Sequence, residues 1–142
     1  MQITVDALAL RGALKKVQPA AAKKTTLPIL SHLLLEVRTD PDRLVVRGTD
    51  LNVSVEAQVP AALPDGMFAY PVEVGAGCPP AKLFGQIVDD LKSGPVGIAF
   101  DEEQSKTTIT RPSKSSAYKL DSFRAEEFPS SMGVDQTLEL MT

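Results

Sequence analysis

Few residues of this chain could carry covalent or metal chemistry. A nucleophilic triad needs a nucleophile, a base and an orienting acid, and the only imidazole and thiol are those of His32 and Cys78. His32 opens an apolar stretch that is typical of a strand, whereas Cys78 follows Gly-Ala-Gly and is predicted to lie in a loop. One histidine and one cysteine cannot complete a tetrahedral zinc site. The sequence therefore argues against a thiol enzyme and a zinc protein, and no cofactor is expected.

An acidic cluster at Asp101, Glu102 and Glu103 is the remaining candidate for chemistry. Carboxylates there could hold Mg²⁺, as in a small hydrolase or nuclease. The cluster separates two predicted strands, however, and the pattern favours a solvated hairpin turn. The Gly75-Ala76-Gly77 segment is too short and too closely flanked by proline to form a phosphate-binding loop. A protein that is not an enzyme and holds no metal is predicted.

Charge is distributed unevenly along the chain. The 142 residues carry a formal net charge of −3. Residues 1–24 contain five cations and one anion, a net charge of +4, so the remainder carries −7. An acidic protein with one basic segment can still bind a polyanion if its cations share a face, and a solvated helix surface is the alternative. The five cations are Arg11, Lys15, Lys16, Lys23 and Lys24.

A predicted N-terminal helix brings three of these cations together. Residues 2–5 alternate as a short strand, and Asp6 is a suitable N-cap for the segment ALALRGALKKV that follows. At about 100° per residue, Arg11, Lys15 and Lys16 fall on the side opposite the apolar residues. The apolar side comprises Ala7, Leu10, Ala13, Leu14 and Val17. The helix is therefore predicted to have one buried face and one basic face.

The order of predicted elements occurs twice along the chain. Predicted strands are 2–5, 31–38, 43–48, 51–59, 67–72, 96–100, 106–111 and 116–121, and predicted helices are 7–17 and 80–92. Each half thus reads as a strand, a helix and three strands. Such a duplication predicts an α+β domain of pseudo-twofold symmetry, with two helices packed on one side of antiparallel sheet.

The second predicted helix is also amphipathic. Its core side comprises Leu83, Phe84, Ile87, Val88 and Leu91, and its outward side comprises Lys82, Gly85, Gln86, Asp89 and Lys92. Two lysines on the outward side extend the basic surface that the first helix begins. The outward acid, Asp89, would repel a phosphate group and weakens that surface locally.

Composition is that of an ordinary globular domain, with 43% apolar and 23% charged residues. No apolar run approaches the ~20 residues of a membrane span, and the N-terminus lacks the pattern of a signal peptide. Since Cys78 is the only cysteine, no intramolecular disulfide can form, and a cytoplasmic protein is expected. After Leu120 the chain becomes polar, with Phe123 and Phe128 as candidate anchors. Residues 136–142 then alternate like an opening strand, which favours the first piece of a longer protein.

Five short motifs follow one another in a fixed order. They are Leu27-Pro28-Ile29-Leu30, Gly48-Thr49-Asp50-Leu51, Ala81-Lys82-Leu83-Phe84, the segment from Lys114 to Leu120, and Glu127-Phe128-Pro129. This series resembles the first domain of the bacterial sliding clamp, the β subunit of DNA polymerase III. The resemblance covers residues 1–129, and residues 130–142 are similar to a linker and the first strand of that family's second domain.

The resemblance implies the clamp fold and a topological function. Family members form head-to-tail rings of three-domain subunits around duplex DNA, and basic side chains on the inner helices make salt-sensitive contacts with phosphates. The ring makes DNA polymerase processive, and polymerase and clamp loader bind a pocket in domains that residues 1–142 would not include. A free-standing clamp-like module that binds proteins without encircling DNA is the alternative.

The resemblance also assigns candidate DNA contacts. Lys24 lies where the family has a basic residue before the Leu-Pro-Ile-Leu motif, and Lys82 lies where it has one at the start of the second helix. The helical pattern adds Arg11, Lys15, Lys16, Lys23 and Lys92. Residues 71–78, PVEVGAGC, depart from the family as an apparent insertion, which predicts a longer loop or a shifted start of the second helix.

Overall fold

The computed structural model describes residues 1–21, 27–63, 69–111 and 117–129. In these residues two α-helices and nine strands follow one another, with single 3₁₀ turns at Gln18–Ala20, Pro28–Ser31 and Ala125–Glu127. The helices are α1 (Ala7–Val17) and α2 (Ala81–Leu91). The strands are β1 (Gln2–Asp6), β2 (Leu34–Arg38), β3 (Arg43–Thr49), β4 (Ser54–Pro60), β5 (Gly75–Cys78), β6 (Pro95–Asp101), β7 (Lys106–Thr110), β8 (Ala117–Asp121) and β9 (Phe123–Arg124).

The strands form two antiparallel sheets that exchange strands between the two halves of the chain. One sheet has the order β1-β6-β7-β8, and the other has the order β4-β3-β2-β5-β9. The first strand of each half therefore pairs with the other half, β1 with β6 and β5 with β2. This reciprocal pairing confirms the predicted duplication and the α+β class. Since each half completes the sheet of the other, the two halves form one domain.

A single apolar core joins the sheets and the helices. Ile3 on β1, Leu44 on β3 and Ile109 on β7 are fully buried, as is Phe84 on α2. Strands β2 and β7 alternate buried and partly exposed positions, as a sheet with one face on a core requires, whereas β1 and β3 each contain three consecutive buried residues. Burial of each such side chain stabilises the fold by roughly 1.5–3 kcal/mol. The core thus holds both helices against the sheets.

Helix α1 has the bounds and the buried face that the sequence predicts. Its buried residues are Ala7, Leu10, Ala13, Leu14 and Val17. The Asp6 carboxylate accepts a hydrogen bond from the Ala9 amide at 3.2 Å and caps the helix, as expected. The chain then tightens into the 3₁₀ turn at Gln18–Ala20, where Pro19 lies in the first turn.

Helix α2 confirms the predicted segment but not every predicted orientation. Leu83, assigned to the core side, is 45% exposed, whereas Gly85, assigned to the outward side, is buried. Gln18, directly after α1, explains the second error. Its side-chain amide donates to the Ala81 carbonyl at 2.9 Å and lies directly over Gly85, where a Cβ would collide with it. A side chain at position 85 would therefore have to displace Gln18 from this crossing of the helices.

Two strands of the first half begin later than predicted. β2 starts at Leu34 because the preceding Pro28–Ser31 segment forms a 3₁₀ turn. β4 starts at Ser54 because the Asp50 carboxylate accepts from the amides of Asn52 and Val53 and closes a turn. Both errors arise where a local turn interrupts an apolar run.

The largest correction concerns residues 67–78. Residues 67 and 68 lie outside the described residues, and residues 69–72 form no strand, contrary to the prediction. The first strand of this half is β5, which ends at Cys78, so the prediction that Cys78 lies in a loop is wrong. The prediction of a longer loop through residues 71–78 is wrong as well, because residues 75–78 of that segment form the strand. Helix α2 begins at Ala81, one residue from the predicted start. The segment before β5 lies against β1 instead, where Gln2 and Glu73 exchange two backbone hydrogen bonds of 2.9 and 2.8 Å.

The ends of the second half agree with the sequence. The acidic residues lie in the turn between β6 and β7, where the Asp101 carboxylate accepts from the Glu103 and Gln104 amides. Phe128 is buried as a predicted anchor, and Phe123 packs against His32 with ring centroids 4.7 Å apart. Residues 114–116, the start of the motif from Lys114 to Leu120, and the predicted strand at 136–142 lie outside the described residues.

Candidate nucleic-acid interface

The two helices lie side by side in antiparallel directions. Arg11, in the first half of α1, contacts Asp89 and Lys92 at the end of α2. Gln18, just after α1, contacts Ala81 at the start of α2. The exposed faces of the helices therefore adjoin along the side of α1 that carries Arg11.

Four of the predicted contact residues are exposed on or beside this helix pair. Lys15 and Lys16 are exposed on α1, Lys82 is exposed on α2, and Lys92 is exposed directly after α2. Lys23 and Lys24, the remaining lysines of the prediction, lie outside the described residues. Cations that are about 80 residues apart in the sequence thus lie on or beside adjacent helices.

Lys15 and Lys16 occupy different sides of α1. Lys15 lies four residues after Arg11 and therefore on the stripe that adjoins α2. Lys16 lines a cavity of about 530 Å³ on the opposite side, between α1 and β4. The cavity also contains Glu56, which forms an ion pair with Arg47 at 2.8 Å. Lys15 therefore adjoins the cations of α2 more closely than Lys16 does.

Lys82 borders an open groove of about 660 Å³ at the start of α2. The groove is lined on α2 by Lys82, Gln86 and Asp89, which follow one another at helical spacing, and on the other side by Gln18 and Ser31. Pro80 precedes α2 and provides no side-chain hydrogen bond to its first turn. The groove thus carries one cation and one anion at its two ends on α2, with apolar residues such as Ala21 and Pro80 between the polar ones.

Arg11 differs from the other predicted contact residues because its guanidinium has partners within the chain. Nη2 donates to the Lys92 carbonyl at 2.8 Å and to the Asp89 carbonyl at 3.3 Å, and Nε lies 3.2 Å from the Asp89 carboxylate. Its side chain is 25% exposed. The ion pair places a cation beside the outward acid that the sequence identified as unfavourable for DNA. The repulsion expected from Asp89 is thereby reduced.

His32 and Cys78 show no catalytic arrangement. His32 Nδ1 donates to the Pro28 carbonyl at 3.0 Å, and burial lowers the pKa of the imidazole, against a smaller opposing effect of that hydrogen bond. Burial raises the pKa of the Cys78 thiol to about 12, and the carboxylates of Glu127 and Glu126 act in the same direction. Cys78 is fully buried and is thus protonated and shielded at neutral pH.

The described residues contain neither a cluster of metal ligands nor a membrane-spanning helix. No group of three or more His, Cys, Asp and Glu side chains among them could hold a metal ion. No helix among the residues described is long and apolar enough to cross a membrane.

Sequence reasoning missed Gln18 and Gly85, which set the contact between the helices. The signal for Gly85 was present in the spacing, since Ala81, Gly85 and Val88 lie on one side of a helix at intervals of four and three residues. Two small residues on that side allow another side chain to approach the backbone. No local signal identifies Gln18 as the side chain that does so.

Comparison with known proteins agrees with this architecture. The sequence model of the DNA polymerase III beta subunit, N-terminal domain, matches residues 1–132. The beta sliding clamp of Chlamydia pneumoniae is 32% identical over 130 residues, which cover 91% of this chain and 32% of that protein. The beta sliding clamp of Chlamydia muridarum is 31% identical over 129 residues, with coverage of 91% and 32%. The chain therefore spans close to a third of the curated relatives that it matches.

Solved structures give the same result at the level of the fold. The DNA polymerase sliding clamp from Caulobacter crescentus superposes with a TM-score of 0.76 at 29% identity, covering 92% of this chain and 32% of that one. The sliding clamp from Bacillus subtilis gives a TM-score of 0.78 at 25% identity, covering 92% and 33%. Together with the strand exchange between the two halves, these matches show that the chain belongs to the family of the DNA polymerase III beta subunit N-terminal domain.

Proposed function

We propose that this chain acts as the N-terminal domain of a replicative sliding clamp, which encircles duplex DNA and makes DNA polymerase processive. The observation that supports this most directly is the exposed row of Lys15, Lys82 and Lys92 on an antiparallel helix pair. Cations that can each approach a phosphate without a fixed hydrogen-bond partner suit sequence-independent, salt-sensitive binding. Such contacts hold a duplex while permitting it to slide.

The clamp itself is a ring in this proposal, and the chain contributes one domain to it. In it, residues 1–129 form the clamp domain, and residues 130–142 form a linker and the first strand of a second domain. Other clamp domains or subunits complete the ring head to tail. DNA polymerase and clamp loader bind through those further domains. The ring makes and breaks no covalent bond, so its contribution to replication is to keep the polymerase on the template.

Six lysines are proposed to contact DNA, in two groups. Lys15, Lys16, Lys82 and Lys92 are exposed on or beside the helix pair, and Lys23 and Lys24 remain predictions from the sequence. Arg11 is the seventh cation of the predicted set, but its guanidinium is engaged by groups within the chain.

Fluorescence anisotropy of the 142-residue chain with a labelled duplex, measured over a range of low salt concentrations, tests the proposal. We expect weak binding without sequence preference, and log K should fall linearly with log[salt]. Lys82→Glu should weaken binding and reduce the magnitude of the slope by about one. Lys24→Glu combined with Lys82→Glu should reduce both further.

Lys119→Glu is the matched control. Lys119 is exposed on β8, at the edge of the four-stranded sheet, and its substitution changes the net charge by the same amount. If Lys82→Glu and Lys119→Glu weakened binding equally, the effect would be one of net charge, and the helix surface would not be the DNA site. Absence of any binding at the lowest salt concentration would favour the protein-binding module instead.

A further inference from the structure

Helix α2 ends in an unusual turn at Lys92. The residue has φ 61° and ψ −74°, and the Ser93 amide donates to the Leu91 carbonyl at 2.7 Å across it. These are the features of a γ-turn with positive φ at its central residue, a conformation that is rare and strained. A side chain with a Cβ seldom adopts it, and strain of this kind persists only when neighbouring groups hold it. The turn therefore requires a restraint.

Arg11 supplies a restraint from the other half of the chain. One guanidinium nitrogen, Nη2, donates to the Lys92 carbonyl and to the Asp89 carbonyl, while Nε lies beside the Asp89 carboxylate. The last carbonyls of a helix lack partners within the helix, and a planar guanidinium can serve several of them at once. We call these three contacts the interhelix bridge. The bridge fixes the backbone of Lys92 relative to α1.

The same contacts reduce the ability of Arg11 to bind a phosphate. Its Nε is buried from solvent, and Nη2 already donates to two carbonyls. Lys92, by contrast, is exposed, and the direction of its side chain depends on the backbone that the bridge holds. The Arg11 guanidinium thus lies within the contact between the helices, and the Lys92 side chain lies outside it.

We propose that Arg11 is a positioning residue that holds the strained turn at Lys92, so that Lys92 and not Arg11 contacts the DNA backbone. This assignment rests on the proposed DNA-binding function. It replaces the direct contact that the helical pattern alone predicts for Arg11. The guanidinium geometry is essential in it, since a lysine has a single ammonium group and cannot span both carbonyls and the carboxylate.

Hydrogen exchange of the free 142-residue chain tests the bridge without DNA. Arg11→Met and Arg11→Lys should both increase exchange of the Lys92 and Ser93 amides by roughly tenfold, because the turn opens locally. Lys15→Met, one helical turn further along α1, is the control and should leave these amides unchanged. Unchanged exchange in Arg11→Met would overturn the proposal, whatever the DNA measurements give.

Salt-dependent DNA binding then tests whether Arg11 acts through Lys92. Lys92→Met and Arg11→Met should each reduce the magnitude of the salt slope by about 0.9, and the double variant should lose no more than either single variant. Arg11→Lys should behave like Arg11→Met. Additive losses in the double variant, or a normal slope in Arg11→Lys, would show that Arg11 contacts phosphate itself and would overturn the proposal.

The exchange experiment and the DNA-binding experiment together distinguish failure of this inference from failure of the proposed function. If Lys15→Met and Lys92→Met both left DNA binding unchanged, the helix surface would not be the DNA site. The role of Arg11 in DNA binding would then be overturned as well, even if exchange confirmed the bridge. If both lysine variants weakened binding and exchange in Arg11→Met stayed normal, only the positioning role would be wrong.

Discussion

Helices α1 and α2 occupy corresponding places in the two halves of the domain, yet they differ in almost everything that is not buried. Each has 11 residues, follows a strand that pairs with the other half, and presents a continuous buried stripe to the core. α1 is capped by Asp6 and runs on into a 3₁₀ turn, whereas α2 lacks a side-chain cap and ends in a strained turn.

The exposed faces differ as clearly as the ends. α1 carries only cations among its charged residues, while the exposed side of α2 includes Asp89 and Asp90 beside Lys82. The two helices thus share their buried stripes and the exchange of strands that precedes them. The ends and outward faces are free to diverge, so that the charge of the surface is determined separately from the fold.

The largest effect is expected where the two helices are most alike, in the core. Phe84 on α2 is fully buried, and Phe84→Ala should reduce the free energy of unfolding by about 3–5 kcal/mol, because it removes a large apolar group and leaves a cavity. Leu10→Ala, at a fully buried position of α1, should cost about 2–5 kcal/mol. Urea unfolding measures both. A loss below about 1 kcal/mol for one of them would mean that its helix does not share the common core.

A smaller effect is expected from the glycines of the two helices. Gly12 on α1 is exposed with open space around it, so Gly12→Ala should raise the free energy of unfolding by up to about 1 kcal/mol through helix propensity. Gly85→Ala gains the same propensity but must displace Gln18 from the Ala81 carbonyl. Its unfolding free energy should therefore lie about 1–3 kcal/mol below that of Gly12→Ala. Equal values for the two variants would contradict the close contact at Gly85.

The difference between the helix starts should be measurable as well. Asp6→Ala removes the hydrogen bond to the Ala9 amide and should lower the free energy of unfolding by about 1 kcal/mol. Glu103→Ala, in an exposed turn, is the control and should change it by less than about 0.5 kcal/mol. If thermal or urea unfolding gave the same small change for both, the cap would contribute nothing to α1.

The smallest effect expected is a dependence of the free energy of unfolding on pH, and it involves His32 at the junction of the halves. The His32 ring packs on Phe123, and its backbone forms an isolated β-bridge with Pro80. Burial lowers the pKa of the folded imidazole, so that below its usual value near 6.5 the unfolded chain binds more protons than the folded chain. The free energy of unfolding should therefore fall as the pH decreases from 7.5 through 6.5. His32→Gln should remove this dependence above the range in which carboxylates titrate. An unchanged pH profile in that variant would show that another group is responsible.

The sequence predicted α1 completely because its periodicity is strong and local. One apolar stripe and an N-cap define the helix without reference to the rest of the chain. α2 was predicted in extent but not in every orientation. Gly85 is buried because Gln18, from the other half, lies over it, whereas the exposure of Leu83 has no explanation in the described contacts.

Strand β5 could not be predicted for the same reason. Its residues Gly-Ala-Gly-Cys have neither β-branched side chains nor a clear alternation, and two glycines disfavour a strand. The segment is extended because β2 and β9 pair with it on both sides. Cys78 and its raised pKa follow from that burial, so the loop predicted for it was wrong.

By itself the sequence determined the duplicated order of elements, the buried stripe of α1 and most of that of α2. These features depend on the spacing of residue types within short segments of the chain. The tertiary structure alone decided that the halves exchange their first strands and that Arg11 binds carbonyls 78 and 81 residues away. Such pairings depend on geometry that appears only when distant segments share one core, and no local pattern encodes them.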